Sequence, residues 1–327
     1  MNKIYVSLPI RPNAYPAEDR TSWAQISYFV YDALSQNFPQ KVTFVPFRDD
    51  VNSTPSDILV SCIPNNNIKK RPNRTIIIDN DNFDVNKWKH GIFAKYGLNT
   101  TTDHTFQYND YFENLYGAII KTNDVAIWKM NNNHPDVLEK KRFLESKIKH
   151  FIYLPHPIDK AYFGKWYKPN LRPKMKMLVY HCGWRKNAAQ LVDMLKVNFS
   201  TDQFTVIDHL TKTDQIINAI LPEYAYIAHT SYSEGFPYFV NEFLTQGLIL
   251  YGHEEWWQPY GYDMLKWTYD PTKQDQNLNN LKKLLNPNFQ EEYYKMRNDI
   301  VQQHFTRTDN NWNYLTDKLI ELVKTIL

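Results

Sequence analysis

The chain has 327 residues, with 38 lysines and arginines against 35 aspartates and glutamates, for a formal net charge of +3. This length is typical of two domains, and a hydrophobic fraction of 43% is enough for packed cores. The nearly balanced charge gives no sign of a protein that binds nucleic acid through a strongly basic surface. The apolar runs all fall short of the ~18 residues of a membrane span.

The first residues and the cysteines indicate the cellular compartment of the protein. Residues 1–9 have the pattern of a strand, with no cleavage site behind them, so no signal peptide is expected. Cys62 and Cys182 are the only cysteines, too few for a disulfide framework, and both adjoin apolar runs. We expect buried free thiols in a reducing cytoplasm. A peripheral position at the inner membrane face and, for a phage-encoded protein, the host cytoplasm both stay open.

Short apolar runs alternate with helical patterns, beginning with a strand at Ile4–Leu8 and a helix at Ser22–Asn37. Runs of β-branched residues between helices favour parallel strands that are buried on both faces. The other predicted strands of the first half are Val42–Pro46, Ile58–Cys62, Thr75–Asp79, Val125–Trp128 and Phe151–Leu154.

The second half continues this alternation. Its predicted strands are Met175–His181, Phe204–Asp208, Ala225–Ala228, Leu248–Tyr251 and Lys266–Tyr269. Its predicted helices are Asn187–Phe199, Thr213–Leu221, Asn277–Leu285, Gln290–His304 and Trp312–Leu327. A polar break at 306–311 separates the last two helices, and we expect the final one to pack back on the first domain.

The alternation predicts an α/β fold with two Rossmann-like domains, each built on a parallel sheet. The boundary is expected near Tyr162–Lys174, which carries Gly164, Pro169 and Pro173 and has no clear period. Residues 1–160 then form the first domain and residues 161–327 the second. Two such domains that face each other form a cleft, where ligands bind at the carboxyl ends of the strands.

A basic turn follows the strand at Met175–His181. Gly183 permits a tight turn, and Arg185 and Lys186 then stand at the start of a helix. The helix dipole disfavours cations there, so the pair makes sense if an anion such as a diphosphate lies between them and the helix end. A solvated basic turn is the alternative.

An acidic segment follows the strand at Ala225–Ala228. Gly235 permits close backbone approach to a ligand, and Pro237 suits the first position of a helix that ends at Gly247. The predicted buried stripe of this helix is Phe239, Val240, Phe243 and Leu244. Glu242 therefore lies near a buried face, where a carboxylate is costly without partners. Ligand hydroxyls are candidate partners, and an ordinary salt bridge is the alternative.

The order of these features resembles the retaining glycosyltransferases of the GT-B fold, in particular family four (glycosyl transferases group 1). That family has Glu-Gly-Phe-(Gly/Pro) with a second Glu eight positions after the first, and here residues 234–237 are Glu-Gly-Phe-Pro, followed by Glu242 and Gly247. Residues 183–187, Gly-Trp-Arg-Lys-Asn, resemble a compressed form of the family's basic loop. Residues 155–159, Pro-His-Pro-Ile-Asp, resemble its Pro-Asn-Gly-Val-Asp segment.

The resemblance implies a role for each matching residue. Arg185 and Lys186 would neutralise the donor diphosphate, Glu234 would contact the hydroxyls of the donor sugar, and Glu242 would accept hydrogen bonds from the ribose. Glu234, Arg185 and Lys186 are the implied catalytic residues. The implied donor-binding set is Gly183, Arg185, Lys186, Ser233, Gly235, Phe236, Pro237 and Glu242.

The implied reaction is hexosyl transfer from a nucleotide sugar to an acceptor hydroxyl with retained anomeric configuration. The leaving diphosphate would help to deprotonate the acceptor on the same face of the sugar, so catalysis would be mainly positioning and electrostatic stabilisation. The resemblance implies no metal and no cofactor, since cations of the protein neutralise the donor. It favours a UDP-sugar as donor and a glycan or surface polysaccharide precursor as acceptor.

The first half departs from the family. The loop after its first strand, Leu8–Asn13, lacks glycine, and Arg11 or Arg20 would have to act through a side chain instead. His90 and His104 are the candidates for a histidine near the donor sugar. Asp79 and Asp81 form an Asp-x-Asp motif, which would bind Mg²⁺ or Mn²⁺ if the chain were instead a GT-A glycosyltransferase.

Two further functions stay open. A phage-type enzyme that glycosylates hydroxymethylated DNA bases would use phosphate contacts, for which Lys69, Lys70, Arg71 and Arg74 are a candidate basic run. A non-catalytic sugar-nucleotide-binding module on the same fold is the other. Aromatic residues also cluster in the first half. Their rings would either stack on a sugar or base of the acceptor or pack in the core. They are Tyr96, Phe106, Tyr108, Tyr111, Phe112 and Tyr116.

Overall fold

The computed structural model describes residues 2–8, 10–18, 22–46, 53–61, 74–79, 115–120, 126–127, 150–153, 158–182, 188–210, 213–230, 233–234, 238–253 and 267–327. The chain divides into two compact units. The first comprises Met1–Val125, Met130–Pro157 and Asn311–Leu327, and the second comprises Ala126–Lys129 and Ile158–Asn310.

The first unit is built on a parallel sheet of six strands in the order β2-β1-β3-β4-β5-β7. The strands of the first half are β1 Ile4–Leu8, β2 Val42–Pro46, β3 Ile58–Ser61, β4 Arg74–Asp79, β5 Leu115–Ile120, β6 Ala126–Ile127 and β7 His150–Tyr153. Helix α1 occupies Ser22–Asn37, the predicted range. All residues of β1 and β3 are buried, which confirms continuous apolar runs as strands covered on both faces.

The second unit contains a parallel sheet of four strands in the order β12-β10-β8-β9. Its strands are β8 Met177–Tyr180, β9 Phe204–Ile207, β10 Tyr226–His229, β11 Ser233–Glu234 and β12 Ile249–Gly252. The helices of the second half of the chain are α2 Lys160–Phe163, α3 Ala189–Asn198, α4 Asp214–Glu223, α5 Tyr238–Gln246, α6 Gln274–Leu284 and α7 Gln290–Ile326, whose residues from Asn311 onward belong to the first unit. The predicted α/β class, with two parallel sheets, is confirmed.

Two strand predictions are wrong. The run at 266–269 is predicted to form a strand, but residues 267–269 form none, and Tyr269 N–H donates to the carbonyl oxygen of Gly252 at 2.8 Å. The run at Val125–Trp128 was expected in the sheet of the first half. Instead β6 pairs in antiparallel fashion with β11, with Ala126 opposite Glu234. An apolar run predicts a strand but not its partner.

The predicted break between the last two helices is also wrong, because α7 runs unbroken over 37 residues. Residues 306–311 are polar but include neither glycine nor proline. Thr306 Oγ1 donates to the carbonyl oxygen of Gln302 at 3.1 Å, and Thr308 Oγ1 donates to that of Phe305 at 3.0 Å. These hydroxyls bond to carbonyls of their own helix, so they are accommodated inside it.

Helix α5 ends in a Schellman motif. Leu248 N–H donates to the carbonyl oxygen of Phe243, and Gly247 N–H donates to that of Leu244, both at 3.0 Å. Gly247 has φ +96°, the left-handed region that only glycine adopts without steric cost. The predicted helix stop at this glycine is confirmed.

A buried guanidinium holds the same helix end. Arg297 of α7 is 1% exposed, and its Nε donates to the carbonyl oxygen of Gly247 at 2.9 Å while its Nη2 donates to that of Lys168 at 3.2 Å. Carbonyl groups at a helix carboxyl end carry partial negative charge and favour a nearby cation. These bonds tie the end of α5 to α7.

Replacement of Gly247 by alanine should lower the free energy of unfolding by about 1–3 kcal/mol. The cost has two sources, the positive φ and a new Cβ atom only 2.5 Å from Arg297 Nη2. Gly164 is the matched control, because its φ is −70° and the nearest atom to a new Cβ is 3.5 Å away. Denaturant unfolding of both variants checks this, and equal effects at the two glycines would contradict it.

Candidate functional site

Histidines follow or end strands at the carboxyl edge of the second sheet. His181 follows β8, His229 is the last residue of β10, and His253 follows β12. In parallel sheets the carboxyl ends of all strands meet at one edge, and ligands bind beyond it. This edge is also where both loops of the predicted site begin.

The two ends of the predicted basic turn are joined by a hydrogen bond. Ala188 N–H donates to Nδ1 of His181 at 2.9 Å. Nδ1 of His181 is therefore the acceptor in this contact. Gly183, Arg185 and Lys186 lie outside the described residues. The structure thus describes the frame of the turn, the end of β8 and the start of α3, and not its cationic side chains.

The prediction of buried cysteines is wrong for Cys182, which is an exposed free thiol. It follows β8 after the last strand residue, Tyr180, and so lies beyond the buried part of the sheet. Cys62 lies outside the described residues.

Ser233 and Glu234 form the short strand β11. Ser233 lies opposite Ile127 and Glu234 lies opposite Ala126 in the pairing with β6. The apolar run at 125–128 predicts a strand but does not indicate that this strand supports the acidic loop. The backbone of the first predicted glutamate is therefore held in an antiparallel pair rather than in an open loop. Gly235, Phe236 and Pro237 lie outside the described residues.

Glu242 lies in α5 and is fully buried, at 0% exposure. The prediction of a one-sided apolar stripe is too narrow, because Asn241, Thr245 and Gln246 are buried as well, while Phe239 is only half-buried. An α-helix covered on all sides forces its polar residues inside. Such a carboxylate is stable only where polar groups of the protein or a ligand compensate it.

The backbone of α5 is held beside Glu242. Thr245 Oγ1 donates to the carbonyl oxygen of Asn241 at 2.7 Å, and Nε2 of His304 lies 3.1 Å from the same oxygen. A carbonyl oxygen only accepts, so Nε2 of His304 is the donor. Burial lowers the pKa of His304 to about 4, so the ring is neutral near pH 7.

Three rings connect the elements that carry the two loops. Tyr180 at the end of β8 stacks on Phe239 of α5 with ring centroids 4.6 Å apart. Tyr180 also stacks on His229 at the end of β10, at 5.8 Å. The sequence pattern predicts Phe239 in the core and indicates no role for Tyr180 or His229. Their spacing along the chain carries no signal, since the contact arises only when β8 and β10 pair.

A second histidine at the edge is buried. His253 is 2% exposed, and burial lowers its pKa to about 4 against smaller opposing effects of the backbone of Thr230 and Tyr269. The strand before it passes close to β10, because a Cβ atom on Gly252 would lie 2.8 Å from the carbonyl oxygen of His229. The neutral imidazole ring of His253 thus belongs to the tightly packed end of β12.

The candidate residues of the first half are only partly described. Arg11 is exposed and precedes a short 3-10 helix at Pro12–Ala14. Asp79 ends β4, paired with Ile120 of β5. Arg74 donates from Nη1 to the carbonyl oxygen of Ile326, so this member of the basic run has a structural role. Outside the described residues lie Arg20, Lys69, Lys70, Arg71, Asp81, His90, Tyr96, His104, Phe106, Tyr108, Tyr111 and Phe112.

The described part of the chain contains no group of three or more histidine, cysteine, aspartate or glutamate side chains that could hold a metal ion. Of the helices described, none has the length and hydropathy needed to cross a membrane.

Stability should fall as the pH drops from 6.5 towards 4. The folded-state pKa values of His253 and His304 are about 4 against an ordinary 6.5. The unfolded chain therefore takes up protons in this window that the folded chain does not, and the stability is fully present above it. Each histidine should remove up to about 1.4 kcal/mol of unfolding free energy per pH unit.

Denaturant unfolding at about pH 7.5 and about pH 5.5 checks this dependence, in a range above the ordinary carboxyl pKa values. The variant His253→Gln should lose about half of it, since one of the two titrating groups is gone. An unfolding free energy that is the same at both pH values would contradict the buried neutral state of the two rings.

No protein-family model matches the sequence, and no curated protein matches it. Solved structures do match. WaaG, a glycosyltransferase involved in lipopolysaccharide biosynthesis, is 9% identical over 97% of this chain and 99% of that chain, with a TM-score of 0.58. An α,α-trehalose-phosphate synthase (UDP-forming) from Burkholderia vietnamiensis is 10% identical over 99% of each chain, also with a TM-score of 0.58.

A third match is the DNA-modifying enzyme β-glucosyltransferase, solved with and without its substrate uridine diphosphoglucose. It is 11% identical over 98% of this chain and 100% of that chain, with a TM-score of 0.51. Identities this low establish the fold and leave activity, donor and acceptor to other evidence. Each alignment extends over nearly all of the chain, which confirms the resemblance seen in the sequence at the level of architecture. The chain has the GT-B fold of glycosyltransferases.

Proposed function

We propose that the protein transfers a sugar from a nucleotide-sugar donor to an acceptor hydroxyl with retention of anomeric configuration. The observation that carries the proposal is the position of Glu234 and Glu242. They lie in β11 and α5, the two elements that follow β10 at the carboxyl edge of the second sheet, in a chain with a glycosyltransferase fold. This edge is where open α/β sheets bind nucleotides.

The donor diphosphate would bind at the basic turn between β8 and α3. Arg185 offers a planar fork of donors and Lys186 a mobile point charge, and the N-terminus of α3 adds its dipole. The His181–Ala188 hydrogen bond at the base of the turn supports this assignment, because a turn whose ends are fixed loses less entropy when it closes on a ligand.

The ribose would bind at Glu242, whose carboxylate would accept hydrogen bonds from two hydroxyls. This carboxylate is 0% exposed, so contact with a ribose requires the protein atoms that cover it to move when the donor binds. Hydrogen bonds from the ribose hydroxyls to the carboxylate would then replace the interactions with the protein that stabilise it before the donor binds. A salt bridge inside the protein is the competing role for Glu242.

Catalysis would consist of charge stabilisation and positioning. The bond between the anomeric carbon and the diphosphate breaks, and negative charge grows on the leaving phosphate, where Arg185 and Lys186 would stabilise it. Glu234 would hold the hydroxyls of the transferred sugar. The acceptor hydroxyl would attack on the face that the diphosphate leaves and would pass its proton to that phosphate.

Uridine nucleotides are the first donors to test. The trehalose-phosphate synthase is described as UDP-forming and the DNA-modifying enzyme as acting on uridine diphosphoglucose. Thermal unfolding with UDP, GDP, ADP and their sugars should show a rise in melting temperature for one base, since ligand that binds the native state stabilises it. No shift with any of them would contradict a nucleotide-sugar site.

Replacement of Lys186 or Glu234 by alanine should lower the rate of sugar transfer by about 10²-fold or more, because each removes an interaction with groups that change charge or position in the reaction. The matched control is Lys174→Ala. Lys174 precedes β8 at the opposite edge of the sheet and forms an exposed ion pair with Glu223 at 2.7 Å. Unchanged turnover in both site variants, with folding intact, would contradict the assignment.

The proposed acceptor is a glycan or a polysaccharide precursor, as in the lipopolysaccharide pathway of WaaG. A DNA acceptor is the second candidate, favoured by the full-length match to the DNA-modifying β-glucosyltransferase. A non-catalytic module would bind a nucleotide sugar with neither transfer nor hydrolysis. These three outcomes are separated by product analysis with glycan and with hydroxymethylated duplex DNA as acceptors.

If the acceptor is a glycan, the affinity for duplex DNA should change little with salt concentration, because the protein would contact few phosphates. A DNA-modifying enzyme would instead lose affinity with a slope of about −0.9 per phosphate contact in a plot of log affinity against log salt. The formal net charge of +3 favours the first result. Fluorescence anisotropy with labelled duplex at several salt concentrations measures the slope, and a steep slope would favour the DNA acceptor.

A further inference from the structure

One face of α7 carries polar side chains that bond to backbone carbonyls around α5. Tyr293, Arg297 and His304 are spaced by four and seven residues, which places them on the same side of a helix. The Tyr293 hydroxyl donates to the carbonyl oxygen of Ala225 at 2.9 Å, and Arg297 Nε donates to that of Gly247 at 2.9 Å. These two contacts lie before β10 and after α5.

The third contact, that of His304, lies within α5. Its Nε2 donates to the carbonyl oxygen of Asn241 at 3.1 Å. This carbonyl belongs to the peptide group that joins Asn241 to Glu242. The hydrogen bond therefore restrains the orientation of the peptide plane to which the Glu242 Cα is attached. Thr245 Oγ1 donates to the same oxygen at 2.7 Å from inside the helix. The oxygen is thus held from α5 itself and from α7.

The hydrogen bond from His304 to the Asn241 carbonyl oxygen lies among buried residues. His304 and Asn241 are each 1% exposed and Glu242 is 0% exposed. A hydrogen bond in a buried site is stronger than one in water, and its loss leaves the carbonyl with one donor fewer where no water replaces it. The imidazole is neutral, so it adds no positive charge beside Glu242 that would hold the carboxylate as an ion pair.

We propose that His304 is a positioning residue for donor binding, which sets the peptide plane that carries Glu242 through its hydrogen bond to the Asn241 carbonyl oxygen. This inference rests on the proposed function, in which Glu242 binds the donor ribose. A small tilt of the peptide moves the carboxylate relative to the ribose hydroxyls, and hydrogen bonds to a ligand tolerate little displacement. His304 contacts neither the ribose nor the reacting atoms.

The test compares three variants of the full chain. His304→Phe keeps a ring of similar size and removes the donor, whereas His304→Gln keeps an N–H donor at about the reach of Nε2. Tyr293→Phe is the matched control, since it removes a buried hydroxyl of the same helix face whose bonds go to Ala225 and Gly247. The readouts are the Kd of UDP by calorimetry, the KM for UDP-glucose, kcat, and the unfolding midpoint.

His304→Phe should raise the Kd of UDP and the KM for UDP-glucose by about tenfold, the scale of one buried hydrogen bond, with a much smaller change in kcat. His304→Gln should restore most of the affinity. Tyr293→Phe should lower the unfolding midpoint while the Kd of UDP stays within about twofold of the wild type.

Two results would overturn the inference. One is an unchanged Kd in His304→Phe, and the other is an equal loss of affinity in His304→Phe and Tyr293→Phe, which would indicate general loosening. The failure of the proposed function gives a different pattern. In that case wild-type protein binds none of UDP, GDP and ADP, or Glu242→Gln binds the nucleotide as tightly as the wild type, and the inference falls with it.

Discussion

The burial of α5 on all sides is the constraint on which the second unit depends. Every residue of this helix except the half-buried Phe239 is buried, so Asn241, Glu242, Thr245 and Gln246 are enclosed with the apolar ones. Enclosed polar groups are stable only with partners, and α7 donates to two backbone carbonyls here, from His304 to Asn241 and from Arg297 to Gly247. The long terminal helix thus supports the helix that carries the second glutamate of the proposed donor site. Support of this kind gives a binding group a fixed position before the ligand arrives.

The sequence predicted local structure well where one physical signal dominates. Helix α1 has the predicted ends, and Gly247 ends α5 because its positive φ requires glycine. Parallel strands followed from continuous apolar runs between helices. The sequence failed where pairing decides the outcome. Strand β6 pairs with β11 rather than joining the first sheet, and an apolar run carries no information about its partner.

In the candidate site, too, the sequence predicted local features and missed contacts between residues that are distant along the chain. The spacing of Glu234 and Glu242 and the glycine stop identified the acidic loop and helix, because these features are local in sequence. The stack of Tyr180 on Phe239 and the contact of His304 with Asn241 join residues 59 and 63 positions apart. No periodicity links them, so they emerge only from the tertiary structure. Polar residues at 306–311 were wrongly taken as a break, since threonine hydroxyls bond equally well to carbonyls of their own helix.

A crystal structure of the protein with UDP tests the donor site most directly. We expect phosphate oxygens within about 3 Å of the Arg185 and Lys186 side chains and a ribose hydroxyl within the same distance of a Glu242 carboxylate oxygen. The Asn241 carbonyl should keep its hydrogen bond from His304 in that complex. A nucleotide bound elsewhere, with the basic turn turned away from it and Glu242 still covered by protein, would contradict the account.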